Sequence, residues 1–504
     1  MRAADSQPEH LDVLIVGAGL SGIGAAWHLQ DKQPGKRYAI LEARDAIGGT
    51  WDLFRYPGIR SDSDLHTFGY AFRPWPGRKA IADGPAIRAY IRETAVEHGI
   101  DRRIRFGHRA VRAEWSSDEA RWTVEAENVH TGERVALTSR WLFCASGYYR
   151  YDEGYTPRLP GIERFGGPVV HPQHWPEELE HAGKRVVIVG SGATAVTLAP
   201  AMAQDAAHVT ILQRSPTYVL PVPSEDRVAN RLRALLGDER AYWLTRRKNI
   251  LQQQAVYRFC RRYPDRARRL IRWVNAKQLA GTGCDVDVHF RPRYGPWDQR
   301  LCAVPDADLY KAIRAGAVSM ATDQIETLTE TGIRLRSGGA LEADVVITAT
   351  GLQILPFGGV EMRVDGRKVS LPDTVAYKGL MLSGVPNFVF AIGYTNAAWT
   401  LKVDLVCEYF CRLIAHTERH GHDACVPEVT DPAMPLQPLL DFKANYVLRT
   451  LDQLPRQGER APWFLAMSFF KDSRYLRHGR VDDAPMRFYS ALRAASAGDL
   501  AVAA

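Results

Sequence analysis

No cysteine pair in this chain forms a metal or redox motif. The seven cysteines (Cys144, Cys260, Cys284, Cys302, Cys407, Cys411 and Cys425) are odd in number and scattered, with no CxxC and no Cys/His cluster at zinc spacing. A metal site and a dithiol redox centre are therefore not expected, and the usage suits a reducing cytoplasm. No stretch offers eighteen uninterrupted apolar residues, so no membrane span is expected. The opening MRAADSQPEH lacks the charged head and apolar run of a secretory signal. Glycine (41) and proline (29) are too few for a collagen-like chain, and 46% hydrophobic with 24% charged residues excludes disordered and coiled-coil readings. At 504 residues the chain is long enough for two or three domains and buries a core without disulfide or metal.

Acidic excess is also missing: the formal net charge is +8. The positive charge is concentrated in one segment. Residues 227–277 hold fifteen Lys/Arg against Asp238, Glu239 and Asp265, a local +12 that leaves the remainder at −4. From Pro221 to about Asp298 the segment reads as helical, with apolar residues at mixed helical spacings, one face packed and a basic face outside. A solvated face is the plain reading. A basic amphipathic helix lying on an anionic membrane is the sharper one. No DNA- or RNA-binding module accompanies the charge, so nucleic acid is not expected.

What is present begins with LDVLIVGAGLSGIGAAWHLQ, an apolar run from Leu11 to Val16 meeting Gly17, Gly19 and Gly22 before a helical pattern. In a strand–turn–helix unit, Gly17 allows the tight turn, Gly19 admits a pyrophosphate to the backbone, and Gly22 lets helix and strand pack closely. A second strand-like run, Arg37 to Leu41, ends at Glu42, twenty residues after Gly22. An acid there accepts hydrogen bonds from ribose hydroxyls and repels a 2′-phosphate.

The unit recurs as RVVIVGSGATAVTLAPAMAQDAAHVTILQRSPT, with Gly190, Gly192 and Ala195 in a GxGxxA. Nineteen residues after Ala195 the acid's place is taken by Arg214, followed by Ser215. A guanidinium pairs with phosphate in bidentate fashion, so this site should prefer NADP over NAD. The plainer alternative is a surface arginine at a strand end. One acid-ended and one arginine-ended site imply hydride traffic from NADPH to FAD between two Rossmann-like α/β domains. LFCASGYY (142–149) and VVITATGL (345–352) read as the crossings between them. A pyridine nucleotide-disulfide reductase shares this layout but needs the missing CxxC.

FxGxxxHxxxWP stands in RFGGPVVHPQHWP as Phe165, Gly167, His171, Trp175 and Pro176. GGxWxxxxYPGxxxD stands as Gly48, Gly49, Trp51, Tyr56, Pro57, Gly58 and Asp62. With these two fingerprints the chain resembles the class B flavoprotein monooxygenases of the Baeyer-Villiger type. SDSDLHTFGYAFRPW, LQRSPTYV, PWDQRLCAVP and GYTNAAWTLK extend the likeness over most of the chain, toward the ethionamide-activating EtaA-type branch.

The resemblance implies that NADPH reduces FAD and that the reduced flavin takes up O2 as a C4a-peroxyflavin. This species then inserts one oxygen beside a ketone carbonyl, giving an ester or lactone, or onto thioether or thioamide sulfur. The alternative is an uncoupled NADPH oxidase or a redox-sensing flavoprotein. The implied FAD set is Gly17, Gly19, Ser21, Gly22, Glu42, Gly49, Thr50, Trp51 and Asp62. The NADP set is Gly190, Ser191, Gly192, Ala193, Thr194, Ala195, Arg214 and Ser215. Arg300 falls where the family carries its catalytic arginine, and Asp62 would hold that guanidinium and raise its pKa. A lysine that often precedes this arginine is here Gln299, which leaves coenzyme discrimination more to Arg214 and Ser215. His171 and Trp175 are read as aligning the domains.

The implied division is a FAD-binding part at 1–150, an NADP-binding part at 151–221, a helical basic insertion at 222–297, a second NADP-binding part at 298–351, and a second FAD-binding part with the C-terminal region at 352–504. The substrate pocket is expected to draw on the insertion, on 393–402 and on the region of Trp463. The substrate is expected to be a small lipophilic ketone or sulfur compound. The protein is expected to be cytoplasmic, with 227–277 at a membrane periphery, and SAGDLAVAA (496–504) reads as a disordered tail.

Overall fold

The computed structural model describes residues 8–440 and 442–491, so the tail read at 496–504 lies outside the described residues. The strand Glu9–Val16 pairs in parallel with Tyr38–Leu41 on one side and with Arg134–Cys144 on the other. Its residues alternate between two cores. Val13 and Ile15 face one cluster with Tyr70, Leu405 and Phe410, while Leu11 and Leu14 face another with Trp115, Trp122 and Phe388. Burial on both faces is why this strand reads as a continuous apolar run.

The same sheet continues through an antiparallel meander, His108–Ser116, Arg121–Asn128 and Arg134–Cys144, in which Trp115 stands directly opposite Trp122. It is completed by chain from beyond residue 360. Glu361–Val364 pairs in parallel with His108–Ser116, and Phe388–Phe390 with the end of Arg134–Cys144.

Between these two contributions lies a second sheet of five parallel strands, in the order Val318–Thr322, His208–Gln213, Arg185–Val189, Val345–Thr348 and Val169–Val170. Here too the side chains alternate, Val186 and Ile188 into one core and Val187 into another. The fold is α/β with two Rossmann-like units, as the two glycine motifs imply. Both sheets present the carboxyl ends of their strands to the glycine turns, where ligands bind in folds of this kind.

The basic segment forms three helices, Arg227–Leu236, Asp238–Arg262 and Pro264–Leu279. Asp226 caps the first by accepting from the backbone N–H of Val228 and Ala229, each at 3.0 Å. Pro264 starts the third, where its missing N–H costs nothing. In that third helix the buried residues are Ala267, Ile271, Asn275 and Leu279, a single stripe at i, i+4 spacing. Among the described residues no helix is long and apolar enough to cross a membrane. Nor do three or more His, Cys, Asp or Glu gather as a metal would require.

Candidate active site

Each glycine turn is built by steric necessity. Gly17 has φ +103°, and a Cβ there would stand 2.7 Å from the Ala145 carbonyl oxygen; a Cβ on Gly22 would stand 1.9 Å from that of Gly17. Gly190, at φ +149°, is likewise closed by the Ala349 carbonyl oxygen at 2.2 Å. Gly192 differs, since nothing lies within 4 Å of a Cβ placed there. Gly19 and Gly192 are the N-caps of helices Leu20–Lys32 and Ala193–Met202, and neither helix start carries a side-chain cap. Two helix N-termini with unsatisfied N–H groups are thus offered to anions.

Both open on one cavity of about 1400 Å³. That exceeds the roughly 300–1,000 Å³ typical of a single small-molecule site. Gly17, Gly19, Ser21, Glu42, Gly49, Thr50, Trp51 and Asp62 line it from the first unit, and Gly190, Ser191, Gly192, Ala193, Thr194, Arg214 and Ser215 from the second. Gly22 and Ala195 are not in the wall; they pack helix against strand. The carboxylate of Glu42 accepts from the Ala18 N–H at 2.7 Å and the Arg44 N–H at 2.9 Å. Burial drives its pKa up against those two bonds. The Ser21 hydroxyl accepts from Trp399 Nε1 at 2.8 Å. Arg214 is exposed at its rim and has no ion pair among the described residues. The residues therefore fit two nucleotides, a diphosphate at each helix start and a ribose near Glu42.

The second fingerprint carries the chain from one unit to the other. Gly49, at φ +55°, brings its turn against Gly19. Asp52 beneath it is buried and meets Arg44, Arg55 and Arg88 at 2.6, 3.1 and 3.3 Å. Burial opposes its charge, but Arg44 and Arg55 overcome this and hold its carboxyl below the ordinary range. Gly58, at φ +76°, lies where a Cβ would strike Ala201 Cβ at 2.8 Å and the Thr197 carbonyl oxygen at 2.9 Å, so this loop abuts the helix of the second glycine motif. Four residues on, Asp62 Oδ2 meets Arg300 Nε at 3.2 Å. The Arg300 side chain is 40% exposed, and it faces the cavity. Enclosure in the protein opposes its charge. The carboxylate of Asp62, with Tyr148, Tyr149 and Tyr446, more than compensates and raises its pKa. Its terminal nitrogens have no partner among the described residues.

The Phe165, Gly167, His171 and Trp175 fingerprint lies outside the cavity wall. His171 Nε2 donates to the Gly351 carbonyl at 3.1 Å while its Nδ1 accepts from the Gln173 N–H at 3.2 Å. It clips the fingerprint segment to the second crossing, while Gln173 Nε2 donates to the carbonyls of Arg150 and Tyr151, just past the first, at 2.9 and 3.1 Å. Burial lowers its pKa, which favours this neutral ring.

The pocket expectation needs correction. Tyr394, Ala397 and Trp399 line the cavity, but no residue of the insertion does, because its helices pack on the outside of both units. Trp463 is buried against Tyr377 in the core, and Lys402 is buried in a pair with Asp472 at 3.1 Å. Tyr148, Tyr149 and Tyr446 line the wall near Arg300, and Arg449 lines it beside Tyr155; no sequence motif marks any of the four as wall residues. The one signal was that Tyr148 and Tyr149 follow the Gly147 turn. Cys302 is the only cysteine in the described wall, and burial with the nearby Asp62 pushes its thiol up to about 12.

Comparison with known proteins places this geometry. Residues 82–381 match the family described as flavin-binding monooxygenase-like, and residues 15–81 an NAD(P)-binding Rossmann-like domain. The chain belongs to the flavin-binding monooxygenase-like family. It is 54% identical over 481 residues to the FAD-containing monooxygenase EthA of Mycobacterium tuberculosis (strain ATCC 25618 / H37Rv), covering 95% of this chain and 98% of that protein. To the putative FAD-containing monooxygenase MymA of the same strain it is 49% identical over 489 residues, covering 96% and 98%. Among solved structures, an oxidized steroid monooxygenase bound to NADP aligns over 95% of this chain and 100% of that one, with TM-score 0.74 and 21% identity. A cyclohexanone monooxygenase from Rhodococcus sp. Phi1 bound to NADP+ aligns over 96% and 100%, with TM-score 0.74 and 21% identity. At that identity the two structures establish the shared fold. The family establishes an enzyme of the flavin monooxygenase type.

Proposed function

We propose that the chain is an NADPH- and O2-dependent FAD monooxygenase that converts lipophilic ketones to esters or lactones and oxygenates thioether or thioamide sulfur. The observation that carries this reading is one cavity holding two uncapped glycine-turn helix starts together with the Arg300–Asp62 pair. FAD would lie on the Gly17–Gly22 turn with its ribose at Glu42, and NADPH on the Gly190–Ala195 turn with its 2′-phosphate at Arg214 and Ser215. When bound and reduced by NADPH, the flavin supplies activation of O2, one atom of which goes to the substrate and the other to water.

The protein's part is positional and electrostatic. Asp62 fixes Arg300 through Nε, leaving both terminal nitrogens to stabilise negative charge that develops on oxygen. A fixed donor of this kind is worth about 10²–10³ in kcat. The aromatic wall of Tyr148, Tyr149, Tyr446 and Trp399 excludes water and suits an apolar substrate. His171 and Trp175 align the two units across the crossings. The division we infer is residues 1–150 and 352–504 for FAD, 151–221 and 298–351 for NADP, and 222–297 for the insertion. We place the enzyme in the cytoplasm, with 227–277 at the periphery of an anionic membrane where lipophilic substrates concentrate.

The test is coupling. NADPH consumption is measured against product with a cyclic ketone and with a thioether. Near one-to-one product formation is expected; stoichiometric hydrogen peroxide and no product with either substrate class would instead mark an oxidase or sensor.

A further inference from the structure

A second cavity, of about 800 Å³, shares no lining residue with the first. Its wall holds five arginines, Arg268, Arg269, Arg272, Arg291 and Arg293, against two carboxylates, Asp265 and Asp287. Both carboxylates are already engaged. Asp287 takes Arg272 through Nε at 2.7 Å, with Arg291 at 3.7 Å, and Asp265 takes Arg268 at 3.1 Å. Arg269 and Arg293 have no ion pair among the described residues. A concave site with unpaired guanidinium forks is built for a tetrahedral oxyanion such as phosphate.

What stands beside it selects the source of that phosphate. One turn from Arg269 on the same helix, Trp273 is 59% exposed, and Leu270 is 52% exposed. Trp273 lies opposite the buried Ala267–Leu279 stripe, with the Lys277 amine 5.6 Å from its ring centroid. Tyr263, at the start of this helix, is flanked by Arg262 and Arg266 at 5.3 and 5.1 Å. Of nineteen exposed large apolar residues among those described, eleven fall within 227–277, Leu235 being 80% exposed. Such a concentration marks a contact surface. A second copy of the chain would bring +12 against +12. A nucleic acid would answer the charge but gives Leu235, Leu270 and Trp273 no apolar phase to enter. An anionic bilayer answers both, with aromatic rings and basic side chains spanning its interface.

We propose that the Arg269/Arg293 cavity binds the phosphate of an anionic phospholipid headgroup while Leu270 and Trp273 enter the acyl boundary. This rests on the reading of 227–277 as a membrane-contacting face and assigns that face its lipid site. The test is flotation of the FAD-loaded enzyme with phosphatidylcholine vesicles containing either phosphatidylglycerol or a fatty acid at matched surface charge.

At low salt the enzyme should bind the phosphatidylglycerol vesicles about tenfold more tightly, a difference equivalent to about 1.4 kcal/mol. Arg269→Glu with Arg293→Glu should abolish that preference, while flavin absorbance and NADPH oxidation are retained. Arg240→Glu with Arg258→Glu, the same charge change outside the cavity, should weaken both bindings and keep the preference. Leu270→Ser with Trp273→Ser should weaken both. Equal affinity for the two vesicles, or a preference that survives the Arg269/Arg293 change, overturns the headgroup site and spares the membrane reading. No binding to either vesicle overturns both. Inorganic phosphate bound by the wild type without any vesicle preference assigns the cavity to a free anion. A dimer that Leu270→Ser with Trp273→Ser dissociates assigns the face to a second copy. Either of the last two also overturns the proposal.

Discussion

A guanidinium held at Nε alone keeps two terminal nitrogens for the reaction, and that is the arrangement of Arg300 on Asp62. Arg300→Ala should therefore cut product formation about 10²–10³-fold while FAD stays bound, as expected for loss of one fixed charge donor in an enclosed site. Steady-state product assay beside flavin absorbance reads both, and a loss of less than about threefold would contradict the role assigned to Arg300. Arg214, in the same cavity wall, has no ion pair among the described residues that would hold it from a 2′-phosphate. Arg214→Ala should raise KM for NADPH far more than for NADH, and equal effects would remove it as the phosphate reader. Motif position located Asp62 and Arg300, but their contact joins residues 238 apart in sequence and belongs to the fold. Tyr148, Tyr149 and Tyr446 escaped notice because an aromatic residue in a wall obeys no local spacing rule; only the tertiary structure brings 446 to 149.

Glycine turns are the most legible elements, because their constraint is local: a positive φ or a carbonyl too close for a Cβ. The two glycines of the second turn should separate stability from binding. Gly190→Ala forces a side chain to φ +149° and 2.2 Å from the Ala349 carbonyl oxygen, and should lower thermal stability by more than about 1 kcal/mol. Gly192 has extended dihedrals, φ −78° and ψ −175°, and open space before it. Gly192→Ala should cost less than about 1 kcal/mol of stability yet raise KM for NADPH, as its methyl stands where a diphosphate would lie. Melting curves beside KM values decide the pair.

The crossings carry a pH dependence. The folded pKa of His171 lies below its ordinary 6.5 because burial disfavours the charged ring. Its stabilising contribution is thus complete above about pH 6.5 and is lost as pH falls through the lower folded value. His171→Asn keeps a donor toward Gly351 without a titrating ring, and should flatten the fall in stability below about pH 6.5, as denaturant midpoints across that range would show; an unchanged profile would remove His171 as its source. The insertion was legible as helix from its periodicity, whereas its exclusion from the cavity wall was not, since amphipathic spacing says which face is buried and not against what.

Across the whole molecule the insertion is held to both units, which is why it lies outside the nucleotide cavity and still belongs to one body. Toward the second unit, the Asn275 amide donates to the Val219 carbonyl and Arg314 donates to the carbonyls of Gln278 and Ala280. Toward the first, Arg246 is buried and spends Nη1 on the backbone carbonyls of His66, Thr67 and Gly69, at 2.9, 3.1 and 2.8 Å. Its Nη2 meets Asp404 at 3.2 Å on the long helix Trp399–Arg419. Arg246→Ala would take this donor from the carbonyls of His66 and Gly69, leave that of Thr67 to the Thr400 hydroxyl alone, and leave the buried Asp404 carboxylate with the Ala71 N–H at 3.3 Å and His28 at 3.5 Å but no guanidinium. Breaking a buried pair from one side costs about 3–5 kcal/mol, whereas replacing both partners by apolar groups of similar volume is close to neutral. Urea unfolding of the first unit, followed by flavin fluorescence, should thus show a large loss for Arg246→Ala and a substantial recovery for Arg246→Met with Asp404→Leu. A loss below about 1 kcal/mol for the single change would mean that packing at Tyr242 and Tyr70, joined by the 2.8 Å bond from the Tyr242 hydroxyl to the Tyr70 carbonyl, holds the insertion without the ion pair.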